Sequence, residues 1–324
     1  MLKNELESLR INTPVLLVTF NRPDTTRKVF DEIKKAKPKK FYFFNDAPRE
    51  GNKQDEEARK QIIKISEEVD WDCEYHKYFP DQNMGCGPGV SNAITWAFTD
   101  EDRLIILEDD CVPSQPFFPF CDHILEKFKD DTRVWSVSGS SYMYPPEAFQ
   151  KYDYIFSQFG ANWGWGTWKR CWAQFDIHMS KLSKFIQEDG FCNVFANKKI
   201  ARLFLKYYKN YIQITDSLAS HAWDIQCGFA VIMNRGLVII PAKNLISNIG
   251  SEGVHFDQAT KYHNIPADDK YSVKTEPLFV LANKKFDEWH FYNHTIDIIH
   301  RPIVKRILNR LRKTILRFIT FKQS

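Results

Sequence analysis

The sequence predicts an α/β protein with a mostly parallel central sheet flanked by helices, and two observations carry that expectation. The first is alternation. From residue 13 onward, short apolar runs alternate with amphipathic segments of helical period at similar spacing. The second is Arg103-Leu104-Ile105-Ile106-Leu107-Glu108-Asp109-Asp110, an apolar run that stops at three consecutive carboxylates. Strands buried on both faces of a parallel sheet read as continuous Leu and Ile, not as polar-apolar alternation. Ligands of open α/β sheets bind at the carboxyl ends of the strands, which is where Glu108, Asp109 and Asp110 fall.

The elements follow in order. Thr13–Phe20 reads as the first buried strand. After the turn Asn21–Asp24, Pro23 suits the opening of a helix that runs to about Lys37. Lys40–Asn45 is a second strand and ends at Asp46. A helix over Glu56–Val69 and a strand over Cys73–Phe79 lead to the glycine-rich loop Asp81–Gly89. Val90–Thr99 is a third helix, followed by the Glu108 strand, a helix over Pro116–Asp130 and a strand over Arg133–Ser138. Beyond them, Gly160–Trp168 crowds three glycines with Trp163, Trp165 and Trp168, and Trp172 follows. His221-Ala222-Trp223-Asp224 opens a helix to Met233, and Gly236–Ile240 is a further apolar strand.

Composition sets the outer bounds. With 324 residues, 43% hydrophobic and 15% aromatic, the chain can bury a sizeable core. No window reaches the ~18 apolar residues of a transmembrane helix, and the first residues have no apolar signal-peptide core. Seven scattered cysteines without a CxxC pair fit reduced thiols and a cytoplasmic protein. Residues 301–324 hold eight Lys/Arg and no acid, so the net charge of +4 belongs wholly to this tail and the body is mildly acidic. Apolar positions 304, 307, 308, 311, 315 and 318 make the tail a basic amphipathic helix. It is expected to lie on an anionic membrane surface, the alternatives being packing on the body or a dimer contact. Nucleic acid is not expected, since the charge is confined to one tail.

Several residues could carry chemistry. Three adjacent carboxylates resist burial unless a cation joins them, and oxygen ligands favour Mg2+ or Mn2+; the alternative is a solvated acidic turn. Asp46 could accept a hydrogen bond from a nucleobase imide, or cap the turn before Pro48. Asn83-Met84-Gly85-Cys86-Gly87-Pro88-Gly89 could offer backbone N–H groups to an anion, or simply connect two elements; it matches neither the dinucleotide fingerprint nor a phosphate-binding P-loop. Trp165, Trp168 and Trp172, at three- and four-residue spacing, describe the buried stripe of a short helix, while Trp163 and Trp165 could wall a sugar site. Asp224 falls in a first helical turn, where an ionised carboxylate is favoured.

The run Glu108-Asp109-Asp110 resembles the Asp-X-Asp-type motif of GT-A glycosyltransferases, a Rossmann-like fold. Its Glu-Asp-Asp form is that of the N-acetylglucosaminyltransferase I-like group, close to the family 2-like nucleotide-diphospho-sugar transferases. Val18-Thr19-Phe20-Asn21-Arg22, Phe43-Phe44-Asn45-Asp46, the Asn83-Met84-Gly85 segment and the aromatic pair Phe117-Phe118 after the acids extend the resemblance over residues 13–257. It implies that Asp110 ligates Mn2+ or Mg2+, that Glu108 faces the ribose, and that Asp109 helps to orient the donor sugar. Asp46 would read the uracil, with Thr19, Asn21, Arg22 and Gly85 along the nucleotide and Trp163 and Trp165 beside the sugar. Asp224 would be the catalytic base; the alternatives are a dipole-pairing acid or the partner of an Arg. His255 would be a second metal ligand or an ordinary loop histidine, and Gly250 and Gly253 would be pivots of a loop closing over the donor.

The implied organisation is a GT-A domain over 1–257, split near residue 135 into a nucleotide-sugar-binding half and an acceptor half. A C-terminal extension, 258–300, and the basic helix, 301–324, follow. The implied function is an inverting, metal-dependent transfer of a sugar, N-acetylglucosamine first, from a UDP-sugar to a glycan or lipid-linked acceptor. The eukaryotic enzymes of that group carry an N-terminal anchor, which is not seen here. The expected setting is therefore bacterial-type surface polysaccharide synthesis, peripheral on the inner face of the plasma membrane. Two rivals stand: a non-catalytic, membrane-peripheral carbohydrate-binding protein, and a sugar-1-phosphate nucleotidyltransferase. The latter is disfavoured because Thr19–Asp24 lacks glycine.

Overall fold

The computed structural model describes residues 10–142, 144, 146–212, 223–250 and 261–296. Strands β1 (Val15–Thr19), β2 (Lys40–Asn45), β3 (Glu74–Tyr78) and β4 (Arg103–Glu108) pair in parallel in the order β3-β2-β1-β4. Helices α1 (Pro23–Ala36), α2 (Lys53–Ser66) and α3 (Cys86–Ala97) make the crossovers. A short strand β5 (Cys111–Pro113), helix α4 (Phe117–Lys127) and strands β6 (Val134–Ser138), β7 (Tyr154–Ser157) and β8 (Trp165–Trp168) come next. Short helices α5 (Lys169–Trp172), α6 (Leu182–Gln187) and α7 (Gly190–Val194) lead to α8 (Lys198–Ile212) and α9 (Asp224–Met233). Strands β9 (Leu237–Pro241) and β10 (Ile246–Asn248), helix α10 (Lys284–His290) and a π-helical turn over Phe291–Thr295 complete the described chain.

The main sheet has eight strands in the order β3-β2-β1-β4-β8-β6-β9-β7. Its first half is wholly parallel, whereas β8 runs antiparallel to both β4 and β6, and β7 antiparallel to β9. The outcome is the expected α/β, Rossmann-like architecture with a mixed second half.

Local chemistry explains the elements. Pro23 opens α1 with its ring fixing the first turn, and Lys34 and Lys35 face the negative end of the helix. Asn52 caps α2 by accepting from the N–H groups of Gln54 and Asp55. In β2 alternate aromatic residues supply both faces. Phe41 stacks on Tyr75 at 5.4 Å on one side, and Tyr42 on His76 at 4.6 Å on the other. One core lies on the face of Leu17, Phe43 and Leu107, the other on that of Leu16, Phe44 and Ile106 under α3. Each such fully buried side chain contributes about 1.5–3 kcal/mol.

Two expectations are corrected, and one strand pair is new. Trp165–Trp168 is a strand, not part of a helical stripe. Hydrogen bonding to neighbours on both sides fixes it as extended, which places Trp165 in one core and Trp168 in the other. A Cβ at Gly166 would come within 2.9 Å of Leu125 Cδ1, so a glycine lets the strand lie this close to α4. Helix α3 starts four residues earlier than expected, with Gly87 and Gly89 in its first turns. Small residues there let the helix sit against Asp46, 3.2 Å from where a Gly89 Cβ would be. The β5–β10 pair was not expected at all, because each strand has only three residues.

Residues 261–296 are woven into the second half. Asn264 N donates to Asn248 O (2.8 Å), Asn283 N donates to Phe156 O (2.7 Å), and Tyr271 packs edge-on against Phe120. Residues 301–324, the expected membrane helix, lie outside the described residues. Among the described residues no helix is long and apolar enough to cross a membrane. The seven cysteines are all free thiols.

One buried acid in this region gives a pH prediction. Asp287 accepts from the Ser157 hydroxyl (2.6 Å) and the Gln158 N–H (3.2 Å), and burial pushes its carboxyl up to about 7. The folded state thus holds a proton that the unfolded chain releases near pH 4. The contribution is fully present below about pH 4 and is lost as pH rises to about 7. Between those limits Asp287→Asn should gain stability relative to wild type by up to about 4 kcal/mol. Denaturant unfolding of both proteins from pH 4 to 8 tests it; parallel curves would refute the protonated state.

Candidate active site

A cavity of about 1310 Å³ opens at the carboxyl ends of β1, β2 and β4 and continues under the second half of the sheet. Thr19, Asn21, Arg22, Asp46, Gly85, Glu108, Asp109, Asp110, Trp163, Trp165 and Asp224 all line it. The candidates therefore meet in one place although they span some two hundred residues of chain. His255 and Gly253 lie outside the described residues.

β4 carries Glu108 to the sheet edge, and the tight step into β5 turns the next two acids inward. Asp109 is 3% exposed; it accepts from Phe20 N at 3.3 Å and is held by Arg22 Nη2. Arg22 Nη1 donates to Asp110 Oδ2 at 2.9 Å, so one guanidinium bridges two neighbouring carboxylates. The Cys111 thiol donates to the other Asp110 oxygen at 3.3 Å. The Glu108 carboxylate makes no hydrogen bond or ion pair with another described residue. Burial pushes its carboxyl well above the usual range, the charges of Asp110 and Asp109 add to this, Arg22 opposes it, and Asp224 adds a smaller push. Burial likewise raises Asp109 to about 6, against the pull of Arg22. Burial alone would lower the guanidinium of Arg22, but the two acids outweigh that and raise it. Five carboxylates, Asp46 among them, thus line one cavity with the cations Arg22, Arg49 and Lys261, and three of the five crowd Arg22 at the end of β4, a local surplus of negative charge that suits a divalent cation. Among the described residues, no three potential ligands converge as a ready-made metal cage.

The segment after β9 closes over this group. Pairing of β10 with β5 brings Ile249 N to Asp110 O at 2.8 Å. Gly250 is pressed so near Asp110 that a Cβ there would lie 2.3 Å from Oδ2.

The other candidates brace the mouth. Asp46 accepts from the N–H groups of Ala47 (2.8 Å), Met84 (3.0 Å) and Gly85 (3.1 Å) and from Asn83 Nδ2 (3.2 Å). Burial raises its carboxyl and these N–H groups oppose that. Both oxygens are engaged by the loop, so the nucleobase contact expected of Asp46 would have to share or displace these donors. Gly85 holds φ 79° and ψ 166°, a region open essentially to glycine alone. The Thr19 hydroxyl donates to Phe44 O (2.8 Å). Asn21 donates to Asp55 Oδ1 (2.8 Å), which Arg49 also grips with a two-pronged fork.

The far wall comes from the second half. Trp165 stacks on Trp223 at 5.6 Å, and its indole N–H has no hydrogen-bond partner. Trp163 is half-buried against Tyr142 (5.8 Å) and His263 (5.1 Å). Asp224, first residue of α9, is exposed to the cavity, and its field reaches Glu108. Sequence reasoning missed Tyr142, Asn248, Lys261, Tyr262, His290 and His294, all of which line the cavity. The run Trp289-His290-Phe291-Tyr292-Asn293-His294, with its histidines four apart, was the available signal.

No family model matches the chain, and no curated protein matches it in sequence. Solved structures resemble it at low identity. A UDP-glucose pyrophosphorylase in its apo form aligns over 74% of this chain and 93% of its own, at 9% identity and TM-score 0.36. Glucosyl-3-phosphoglycerate synthase from Mycobacterium tuberculosis, in complex with Mn2+, uridine diphosphate and phosphoglyceric acid, aligns over 52% of this chain and 60% of its own (12% identity, TM-score 0.31). 4-Diphosphocytidyl-2C-methyl-D-erythritol synthase from Anaerococcus prevotii aligns over 50% and 74% (10% identity, TM-score 0.30). Likeness at this level carries no argument, and chemistry has to come from the residues of the site.

Two glycines test the geometry. Gly250→Ala forces its new methyl into Asp110, and Gly85→Ala strains the loop that Asp46 holds. Each should cost about 1–3 kcal/mol in denaturant unfolding. Unchanged stability in either would show that the contact is not made.

Proposed function

We propose that the protein is an inverting, metal-dependent glycosyltransferase of GT-A type. In this reading it moves a sugar, N-acetylglucosamine first, from UDP to a hydroxyl of a glycan or lipid-linked acceptor in surface polysaccharide synthesis. The observation that carries it is the opposition of two acidic groups across one cavity: Glu108, Asp109 and Asp110 at the end of β4, and Asp224 at the start of α9. The first group suits a diphosphate and its cation, the second the incoming hydroxyl.

Asp110, with Asp109 beside it, would hold Mn2+ or Mg2+, which when bound supplies Lewis-acid stabilisation of the charge gathering on the departing nucleoside diphosphate. Arg22 neutralises both acids until then and can turn its fork to a phosphate, a geometry that guanidinium shares for the two anions. Asp224 takes the proton of the acceptor hydroxyl as that oxygen bonds to the anomeric carbon. The bond from that carbon to the diphosphate oxygen breaks, and its electron pair leaves with UDP. Trp163 and Trp165 wall the sugar. The basic segment 301–324 would keep the enzyme on an anionic inner membrane surface beside a lipid-linked acceptor.

Thermal unfolding against UDP-, GDP-, dTDP- and CMP-sugars, with Mn2+ or with EDTA, tests the donor site. A donor at ~100 times its dissociation constant adds about 2.7 kcal/mol. That gain should require the metal and vanish in Asp110→Ala. Absence of any shift would favour the carbohydrate-binding alternative. Asp224→Asn should keep the donor shift while transfer falls about 10²–10⁴-fold, and wild-type turnover in this variant would dismiss the base.

Removal of the bridging cation gives an independent check. Arg22→Ala leaves Asp109 and Asp110 side by side, which should cost about 1–3 kcal/mol given that Arg22 is one-third exposed. Millimolar Mn2+ should restore part of the loss, as read by denaturant unfolding. No recovery would argue against a cation at these acids.

A further inference from the structure

The cavity does not end at the acids. Past Trp163 it runs to a wall contributed by Tyr142, Tyr262 and the last described helix, and that wall has an unusual polar complement. His290 and His294 are 3% and 8% exposed and both line the cavity, yet His290 Nε2 and His294 Nδ1 have no hydrogen-bond partner. Leaving a buried polar atom unpaired costs about 1–3 kcal/mol, and here two such atoms sit on adjacent rings 4.9 Å apart.

The backbone is shaped to hold them there. Residues 291–295 form a π-helical turn, a rare conformation often found at functional sites. Its wider register sets Thr295 beneath His290, where Thr295 Oγ1 and His290 Nδ1 are hydrogen-bonded at 2.9 Å. That bond engages one ring nitrogen and leaves the other for the cavity. Tyr142 packs on His294 at 4.3 Å and on Trp163 at 5.8 Å. It has φ 51°, in the left-handed region where a bulky side chain is strained. Strain and unpaired polar atoms therefore coincide on one wall.

The chemistry of that wall selects its ligand. Burial lowers both imidazoles, His294 to about 4 with the nearby Lys261 charge adding, so neither ring is cationic near neutrality. Neutral imidazoles beside aromatic faces suit hydroxyl groups and the apolar face of a sugar ring; Lys261 also lines the cavity, with its ammonium over the Tyr262 ring at 5.0 Å, and it is the charge that the phosphate-ester arm of the test addresses.

We propose that Tyr142, His290 and His294 form the acceptor subsite, in which the hydroxyls of an uncharged saccharide hydrogen-bond to the free nitrogens of the two histidines while its ring lies on Tyr142. This rests on the transferase reading for the meaning of "acceptor", and it names the acceptor's chemical class. The three residues are specificity-determining.

The test uses the full chain with methyl glycosides of glucose, galactose, mannose and N-acetylglucosamine as neutral probes, and glucose 6-phosphate as the charged one. In protein carrying 15N-histidine, at least one neutral glycoside should shift the His290 and His294 nitrogen signals, while glucose 6-phosphate leaves them in place. His290→Phe and His294→Phe, which keep a ring but no nitrogen, should weaken glycoside binding at least tenfold. His290→Gln and His294→Asn, whose amides fall near the lost nitrogens, should recover most of it. All four should retain the UDP-sugar and Mn2+ thermal shift, which also reports correct folding. Three results overturn the subsite: no panel glycoside moves the two signals, the phosphate ester moves them instead, or the Phe variants bind as wild type does. Loss of the donor shift in wild type with glycoside binding intact would instead sink the transferase reading and leave a sugar-binding wall standing.

Discussion

The fork of Arg22 on Asp109 and Asp110 is the interaction around which the rest of the molecule is arranged. Strand β4 is buried to its last residues, so it carries its three acids to the edge of the core and not into open water. Three carboxylates in that position repel each other, and the raised carboxyls of Glu108 and Asp109 record how incompletely one guanidinium offsets them. Each neighbouring feature constrains this group. Phe20 N donates to Asp109, Ile249 N fixes the Asp110 backbone, and Gly250 leaves no room between the β10 segment and the Asp110 carboxylate. A group braced on three sides with its charge unbalanced suits a cation once the Arg22 fork turns away from Asp109 and Asp110.

The bracing extends outward through side chains that do little chemistry themselves. Asp46 spends its oxygens on the turn Asn83–Gly85, and that turn fixes the start of α3. Asn21 is tied to Asp55, and Asp55 to Arg49, so the loop bearing Arg22 is anchored to α2. Several residues that resemble nucleotide contacts in sequence thus also brace the folded chain. A residue can occupy the place of a ligand contact and still contribute mainly by holding its neighbours.

The first half of the molecule was legible in the sequence because its information is local. Continuous apolar runs, Pro23 at a helix start and acids at the end of Leu104–Leu107 each follow from a few adjacent residues, and the parallel order β3-β2-β1-β4 follows from their alternation. The second half was legible only in part: the strands near Arg133–Ser138 and Gly236–Ile240 and the helix to Met233 were expected, but its decisive contacts are remote in sequence. Trp165–Trp168 is extended only because β4 and β6 flank it, and its three- and four-residue spacing imitates a helix. β5 and β10, with three residues each, are strands only in each other's company across more than a hundred residues. The histidine wall fails to show for the same reason. Nothing near His290 in the chain announces that Tyr142 will lie against His294, or that a π-helical turn will leave a nitrogen unpaired.

The cavity that results has two poles of opposite character. At the β4 end every functional group is charged or held by charge, as a diphosphate and its cation require. At the far end the two histidines are buried and neutral, held between aromatic rings, and Lys261 is the charged group beside them. Asp224 stands between the two, at a helix N-terminus, and its field reaches both Glu108 and Tyr142. A single-substrate binding protein has little use for such a division, since a charged pole is an expensive way to hold a neutral sugar. A transferase needs both poles, because its two substrates differ in this respect: one carries a charged diphosphate that must leave, the other a neutral hydroxyl that must arrive. The separation of charge along the cavity is therefore the feature that argues most directly for transfer over simple binding.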